Sequence, residues 1–236
     1  MKILGLDSSG LVASVAVVEE DNLLAEYTVN YKKTHSQTLL PMLDAIVKMI
    51  DLDLDTIDAV AVAGGPGSFT GLRIGSATAK GLGLALQKPL IQIPTVDGLA
   101  YNLYGCRDMV CPLMDARRNQ TYTGLYEFTA EGMKTLQCQC AVGIDEIVKE
   151  INNRSRPVVF LGDGVPVFRP FLEENCKTEY SFAPAHMNKQ RAASVAALAC
   201  LYYQEGKTET AAEHSPDYLR LSQAERERQE KERQEQ

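Results

Sequence analysis

An aspartate closes each of two apolar runs: Asp7, followed by Ser8 and Ser9, and Asp115, followed by Ala116 and Arg117. A strand that ends on Asp-Ser-Ser and turns at once into a second strand presents backbone N–H groups able to hold phosphate oxygens. In two-lobed ATPases a pair of such turns clasps a nucleotide's phosphates while the carboxylates hold a metal through water. Gly162 and Gly164, at the close of a later apolar run, complete a candidate, vestigial nucleotide set of Asp7, Ser8, Ser9, Asp115, Gly162 and Gly164. Alone, each acid could simply end its strand, so the pair speaks for a fold more than for an activity.

The segment Gly65-Pro66-Gly67-Ser68-Phe69-Thr70-Gly71-Leu72-Arg73-Ile74-Gly75 joins an apolar run to a helical pattern. Such a loop could bind an anion at the helix N-terminus. It is not a P-loop, because no Lys-Ser or Lys-Thr follows at the required offset. Gly67, Gly71, Gly75, Ala79 and Gly83 recur every four residues and trace one stripe of small side chains. A glycine inside a helix costs about 1 kcal/mol against alanine, so the stripe implies that something packs closely against it. A helix of the same chain, such as Leu39 to Ile50, could supply that contact, and so could a partner chain.

Histidine limits the chemistry. His35, His186 and His214 are the only three, and none shares zinc or iron spacing with another His, Cys or carboxylate. No Gly-x-Ser-x-Gly elbow is present; no catalytic residue and no metal site are expected. The six cysteines include no C-x-x-C pair; Cys138 and Cys140 lie on one strand face, where two small half-buried residues are a commoner finding than soft-metal ligands. The net charge of −7 argues against this chain being the main nucleic-acid surface, so a partner would hold any RNA. No apolar run is long enough to span a bilayer and no signal peptide begins the chain, so a cytoplasmic protein with reduced thiols is expected.

The elements that must position these residues repeat. Lys2 to Ser8, Ala13 to Val18 and Leu23 to Val29 read as three strands, and Thr34 with Gln37 as a capping box opening the Leu39–Ile50 helix. A strand at 58–63, a helix at 68–87, a strand at 89–93 and a helix at 96–104 follow. The second half gives strands at 109–114, 120–128 and 133–142, a helix at 145–152, a strand at 157–161, and helices at 165–175 and 192–203. This βββαβα order, run twice, predicts two α/β lobes, 1–104 and a reduced 105–222, each a mixed sheet backed by helices. The tail 223–236 is almost wholly Glu, Arg, Gln and Lys and is expected to fray or remain disordered.

Leu6-Asp7-Ser8-Ser9, His35-Ser36-Gln37-Thr38-Leu39-Leu40-Pro41, the Gly65–Gly75 run, Met114-Asp115-Ala116-Arg117-Arg118 and Pro216-Asp217-Tyr218-Leu219-Arg220 resemble the TsaB (YeaZ) family of bacterial tRNA threonylcarbamoyladenosine biosynthesis proteins. The resemblance implies ribonuclease-H-like lobes of the actin, sugar-kinase and heat-shock-chaperone ATPase type. It implies a non-catalytic subunit that activates its catalytic paralogue TsaD in threonylcarbamoyl transfer to adenosine 37 of tRNAs reading codons that start with A. The ATPase TsaE would be a further partner, the isolated chain would form a homodimer, and tRNA would be met only through the complex. The paralogue's metal-binding His-x-x-x-His falls here on Thr95 and Leu99, neither able to replace an imidazole. The family's contact helices place a partner interface on His35, Leu39, Leu43, Gly71, Leu72, Gly75, Ala79 and Gly83. No cofactor is firmly expected, ATP or ADP at a complex interface being the one candidate. An active ATPase or small-molecule kinase of the same fold is the alternative function.

Overall fold

Strands β1 (Lys2–Asp7), β2 (Ala13–Glu19) and β3 (Asn22–Val29) form an antiparallel meander, to which β4 (Ala59–Gly65) and β5 (Leu90–Pro94) add in parallel in the order β3-β2-β1-β4-β5. The computed structural model describes residues 1–31 and 35–219. A second sheet repeats the arrangement with β6 (Met109–Asp115), β7 (Gln120–Thr129), β8 (Gly132–Gly143), β9 (Val158–Leu161) and β10 (Tyr180–Phe182), in the order β10-β9-β6-β7-β8. Both sheets therefore have the 3-2-1-4-5 order of a ribonuclease-H-like lobe, and the fold is the two-lobed α/β class expected.

Alternation along β1 shows how the first sheet is covered on both faces. Leu4 and Leu6 point into a core with Leu39, Leu43 and Ile46 of α1 (Leu39–Met49) and Ala79 of α2 (Phe69–Leu86). Ile3 points the other way, with Ala59, Ala61 and Ile93, against Val195, Ala196 and Ala199 of α6 (Ala192–Gln204). Gly5 lies under α6, where a Cβ would stand 2.6 Å from the Ala192 carbonyl oxygen. Burial on both faces explains why β1 and β4 are almost wholly apolar. In the second lobe, α4 (Ile144–Arg154) and α5 (Val165–Asn175) cover one face through Ile147, Ile151, Phe168 and Leu172. The other face receives Val96, Leu99 and Ala100 of α3 (Thr95–Tyr101) against Val110, Met114, Tyr126 and Leu161. Helices α3 and α6 touch, and so join the lobes.

Three expectations change. The last helix, assigned by sequence order to a second lobe spanning 105–222, packs on the first sheet, because its Ala- and Val-rich face fits the small residues of β1 and β4. The edge strand β10 has only three residues, too few to show a period. The helix expected to begin at a Thr34–Gln37 box begins at Leu39, behind a 3-10 turn at His35–Gln37, with Thr38 as N-cap and no side-chain cap bond. Thr34 lies outside the described residues, as does the tail 223–236. Pro41 is the third residue of α1, where a missing N–H breaks no helical bond. Among the described residues no helix is long and apolar enough to cross a membrane.

Candidate functional site

The turn after β1 is tied both to the end of its own strand and to α2. Ser9 donates to Asp7 Oδ1 from its backbone N–H at 2.9 Å and from its hydroxyl at 2.7 Å. The Ser8 hydroxyl donates to the Gly71 carbonyl at 2.9 Å, and the Ser68 N–H donates to the Ser9 carbonyl at 2.6 Å. His35 Nε2 lies 2.9 Å from the Gly10 carbonyl oxygen, which can only accept, so that nitrogen carries the proton. The N-terminal end of α2 thus lies directly under the β1–β2 turn.

That placement gives the small-residue stripe a packing reason within its own chain. A Cβ on Gly71 would fall on the Ser8 carbonyl oxygen, far closer than 3.0 Å, and one on Gly75 would stand 2.5 Å from Ser8 Oγ. A Cβ on Gly83 would meet Leu90 Cδ2 at 2.8 Å. Ala79, Leu72, Leu39 and Leu43 are buried, Ala79, Leu39 and Leu43 as members of the first core. His35 is half-buried and bonded to Gly10. All eight residues expected at a partner interface therefore face their own chain. The periodicity was real, but it marked the inward face of α2. Outward stand Thr70, Arg73, Ala77, Gly81 and Leu84, with Leu40 and Met49 exposed on α1.

Asp7 is 2 % exposed. Burial pushes its carboxyl up from 3.8 to about 6, against the Ser9 hydrogen bonds and nearby His35, which pull it down. Between those two values the folded chain keeps a proton that the unfolded chain has released. Stability from this group is therefore full below about 3.8, is lost as pH rises through about 6, and stays lost at neutral pH. The difference corresponds to about 3 kcal/mol at most. Asp7→Asn keeps an oxygen for Ser9 and removes the buried charge. It is expected to raise stability at pH 7 by about 2 kcal/mol and to match the parent near pH 4, measured by urea unfolding at both pH values. A gain that does not vary with pH would mean an ordinary, ionised Asp7.

Between the lobes lies a cavity of about 650 Å³. Ser9, Gly10, Gly67 and Ser68 line it from the first lobe, Asp115, Arg117, Tyr122 and Asp163 from the second, and Lys189 and Gln190 from the segment leading into α6. Of the six candidate nucleotide residues, Ser9 and Asp115 reach the cavity. Asp7 and Ser8 are buried behind it. Gly162 and Gly164 press on the Leu113 backbone, Gly162 with a φ of +110° that favours glycine, and Gly164 donates to the Leu113 carbonyl at 2.8 Å. Asp115 accepts from the Arg117 N–H at 2.8 Å and pairs with its guanidinium at 3.0 Å. Burial raises the Asp163 carboxyl, with Lys189 opposing. Asp163, Lys189 and Gln190 were not candidates from sequence; only Asp163, between two glycines, carried any local signal. Among the described residues no three His, Cys, Asp or Glu side chains are grouped to hold a metal ion.

The family model described as TsaD, tRNA N6-adenosine threonylcarbamoyltransferase, matches residues 22–228. A Bacillus subtilis protein named tRNA threonylcarbamoyladenosine biosynthesis protein TsaB is 32 % identical over 228 residues, covering 95 % of this chain and 96 % of its own. The chain belongs to the TsaB family. The Escherichia coli TsaB is 31 % identical over 93 % of this chain and 95 % of its own length. A Pseudomonas aeruginosa crystal structure, described as similar to peptidase YeaZ, superposes with a TM-score of 0.80 at 25 % identity, over 93 % of this chain and 99 % of that one. The Thr95 hydroxyl accepts from the Gly65 N–H at 3.1 Å, and Leu99 is buried in the interlobe core. The Pro216–Leu219 part of the TsaB-like C-terminal motif straps the same loop. Asp217 N–H donates to the Gly64 carbonyl at 2.7 Å, and Tyr218 stacks on Phe69 with ring centroids 4.8 Å apart. Arg220 of that motif lies outside the described residues.

Proposed function

We propose that this chain is a non-catalytic subunit of a tRNA threonylcarbamoyladenosine-forming complex, binding and activating a TsaD-type threonylcarbamoyltransferase. The product is the modified adenosine 37 of tRNAs that read codons beginning with A. The observation that carries this reading is the end-to-end kinship with curated TsaB proteins, 96 % of the Bacillus subtilis chain being spanned. Thr95 and Leu99, engaged in a backbone hydrogen bond and an apolar core, support the absence of transferase chemistry in this chain. The docking face in this reading is the outer side of α1 and α2, which back the same sheet face. A TsaE-type ATPase completes the complex in the cytoplasm, ATP or ADP binds at a subunit interface, tRNA is held by the assembly, and the chain pairs with itself when the partner is absent.

Reconstitution tests this. The transferase and ATPase subunits, supplied with threonylcarbamoyl-adenylate and tRNA, should modify tRNA at least about tenfold more slowly without this chain, a loss of about 1.4 kcal/mol in activation. The chain alone should form no product. Full modification without it, or turnover by it alone, defeats the proposal.

A further inference from the structure

We propose that polar ties at the hinge lock the two lobes of this chain at one angle, so that the second lobe does not swing against the first. Two-lobed proteins open and close by rotating about the few residues that join their lobes. Here the chain crosses between lobes twice. It leaves the first lobe between α3 and β6. It returns between Asn188, whose carbonyl accepts from the Gly162 N–H at 3.0 Å, and Ala192, whose N–H donates to Ser14 Oγ at 2.9 Å. Gly105, in the outgoing crossing, has a φ of +82° and open space where a Cβ would stand, so packing at that point does not oppose rotation.

Two ties do oppose it. The first joins the crossings to each other. Asn102, just after α3, donates from Nδ2 to the Met187 carbonyl at 2.9 Å and to the Lys189 carbonyl at 2.6 Å, while its Oδ1 accepts from the Ser194 hydroxyl at 2.5 Å. One side chain thus holds the outgoing crossing, the returning crossing and α6 together. The second tie spans the lobes: the Tyr126 hydroxyl, on β7, donates to Asp97 Oδ1, on α3, at 2.6 Å. Helix α3 is itself seated on the first lobe, through the Gly65–Thr95 hydrogen bond and through Gly98, whose Cβ position lies 3.4 Å from Val195 Cγ2 and 3.5 Å from Ile93 Cγ2. Tyr126 is fully buried. Burial and the Asp97 charge beside it push its phenol far above the ordinary range, so it stays the donor. The apolar contact of α3 with the second sheet has no preferred direction and would tolerate sliding. A buried hydrogen bond to a carboxylate fixes both a length and an angle. Turning the second lobe away from α3 would leave phenol and carboxylate without each other in a dry interior.

The lock does not depend on the scaffold reading, and its test uses the full chain without partners. Tyr31 and Arg118 are exposed and adjoin Asn30 and Arg117, which line the cavity from opposite lobes. Nitroxide labels carried there on unnatural side chains, read by double electron–electron resonance, report the lobe-to-lobe distance. The otherwise unaltered chain is expected to give a single distance. Tyr126→Phe and Asn102→Ala should each add a second population, and the two together should move the mean by more than about 2 Å. Asp97→Asn, which keeps an oxygen for the phenol, should retain the single distance. Asn102 is half-buried, and its alanine variant decides the matter if Tyr126→Phe fails to fold. Several distances in the chain with both ties intact overturn the proposal. So does a single, unmoved distance in Tyr126→Phe, Asn102→Ala and their combination.

Discussion

Gly71→Ala is expected to lower the unfolding free energy by about 3 kcal/mol, whereas Gly81→Ala, ten residues on in the same helix, should raise it by about 0.5–1 kcal/mol. Both changes give the helix the same propensity gain. They differ in what the new methyl meets. At Gly71 it meets a backbone carbonyl of Ser8, which cannot rotate away, since the Ser8 hydroxyl and the Ser9 carbonyl bind the turn to α2. The turn must lift, and Asp7 and its bonds to Ser9 lift with it. At Gly81 no atom stands within 4 Å of the new Cβ. Gly75→Ala falls between, because its clash is with the Ser8 hydroxyl; the side chain can turn aside and forfeit one hydrogen bond, about 1 kcal/mol. Urea unfolding of the three variants reads the order directly. An unchanged midpoint for Gly71→Ala would mean that the turn does not rest on the helix as described.

The same three residues show what was legible in the sequence. Strand order in both lobes followed from apolar runs and turn residues, because burial on one or both faces leaves a mark on every strand longer than about four residues. Periodicity of four along α2 correctly grouped Gly71, Gly75, Ala79 and Gly83 on one face. It could not say what that face meets, since a turn of the same chain and a foreign helix demand the same small side chains. The assignment of α6 to the second lobe failed for a related reason: its Ala-rich face carries no label for a sheet that begins 190 residues earlier, β1 starting at Lys2 and α6 at Ala192. In the cleft, Ser9 and Asp115 were visible because they end strands. Gln190 and Lys189 come from a segment without regular structure or motif, and only the return of α6 to the first sheet brings them to the cavity.

Gly81→Glu and Leu84→Asp should each abolish co-purification with the TsaD-type subunit while leaving the fold of this chain intact. Gly81 is the glycine of α2 that its own chain does not explain. It faces solvent with open space around its Cβ position, yet costs the helix about 1 kcal/mol against alanine. Close approach of another chain's helix is a return that this chain alone cannot give. Leu84, one turn on, is 69 % exposed, and Leu40 and Met49 of α1 are 54 % and 82 % exposed on the same side of the sheet. In the free chain a carboxylate at either α2 position stays hydrated, so Gly81→Glu should keep much of the helix-propensity gain, raising stability by about 0.5 kcal/mol, and Leu84→Asp should lower it by about 0.5 kcal/mol. Inside an apolar helix contact the same carboxylate loses its water without gaining a partner, at a cost of about 3 kcal/mol, which is roughly a hundredfold in Kd. Sizing of the co-expressed pair and tRNA modification by the reconstituted complex should fail together. Urea unfolding of the free variants should stay cooperative and within about 1 kcal/mol of the parent. Parent-like complex formation by both variants would move the docking face off α2, and the substitutions Leu40→Asp and Met49→Asp would then tell whether α1 alone carries it.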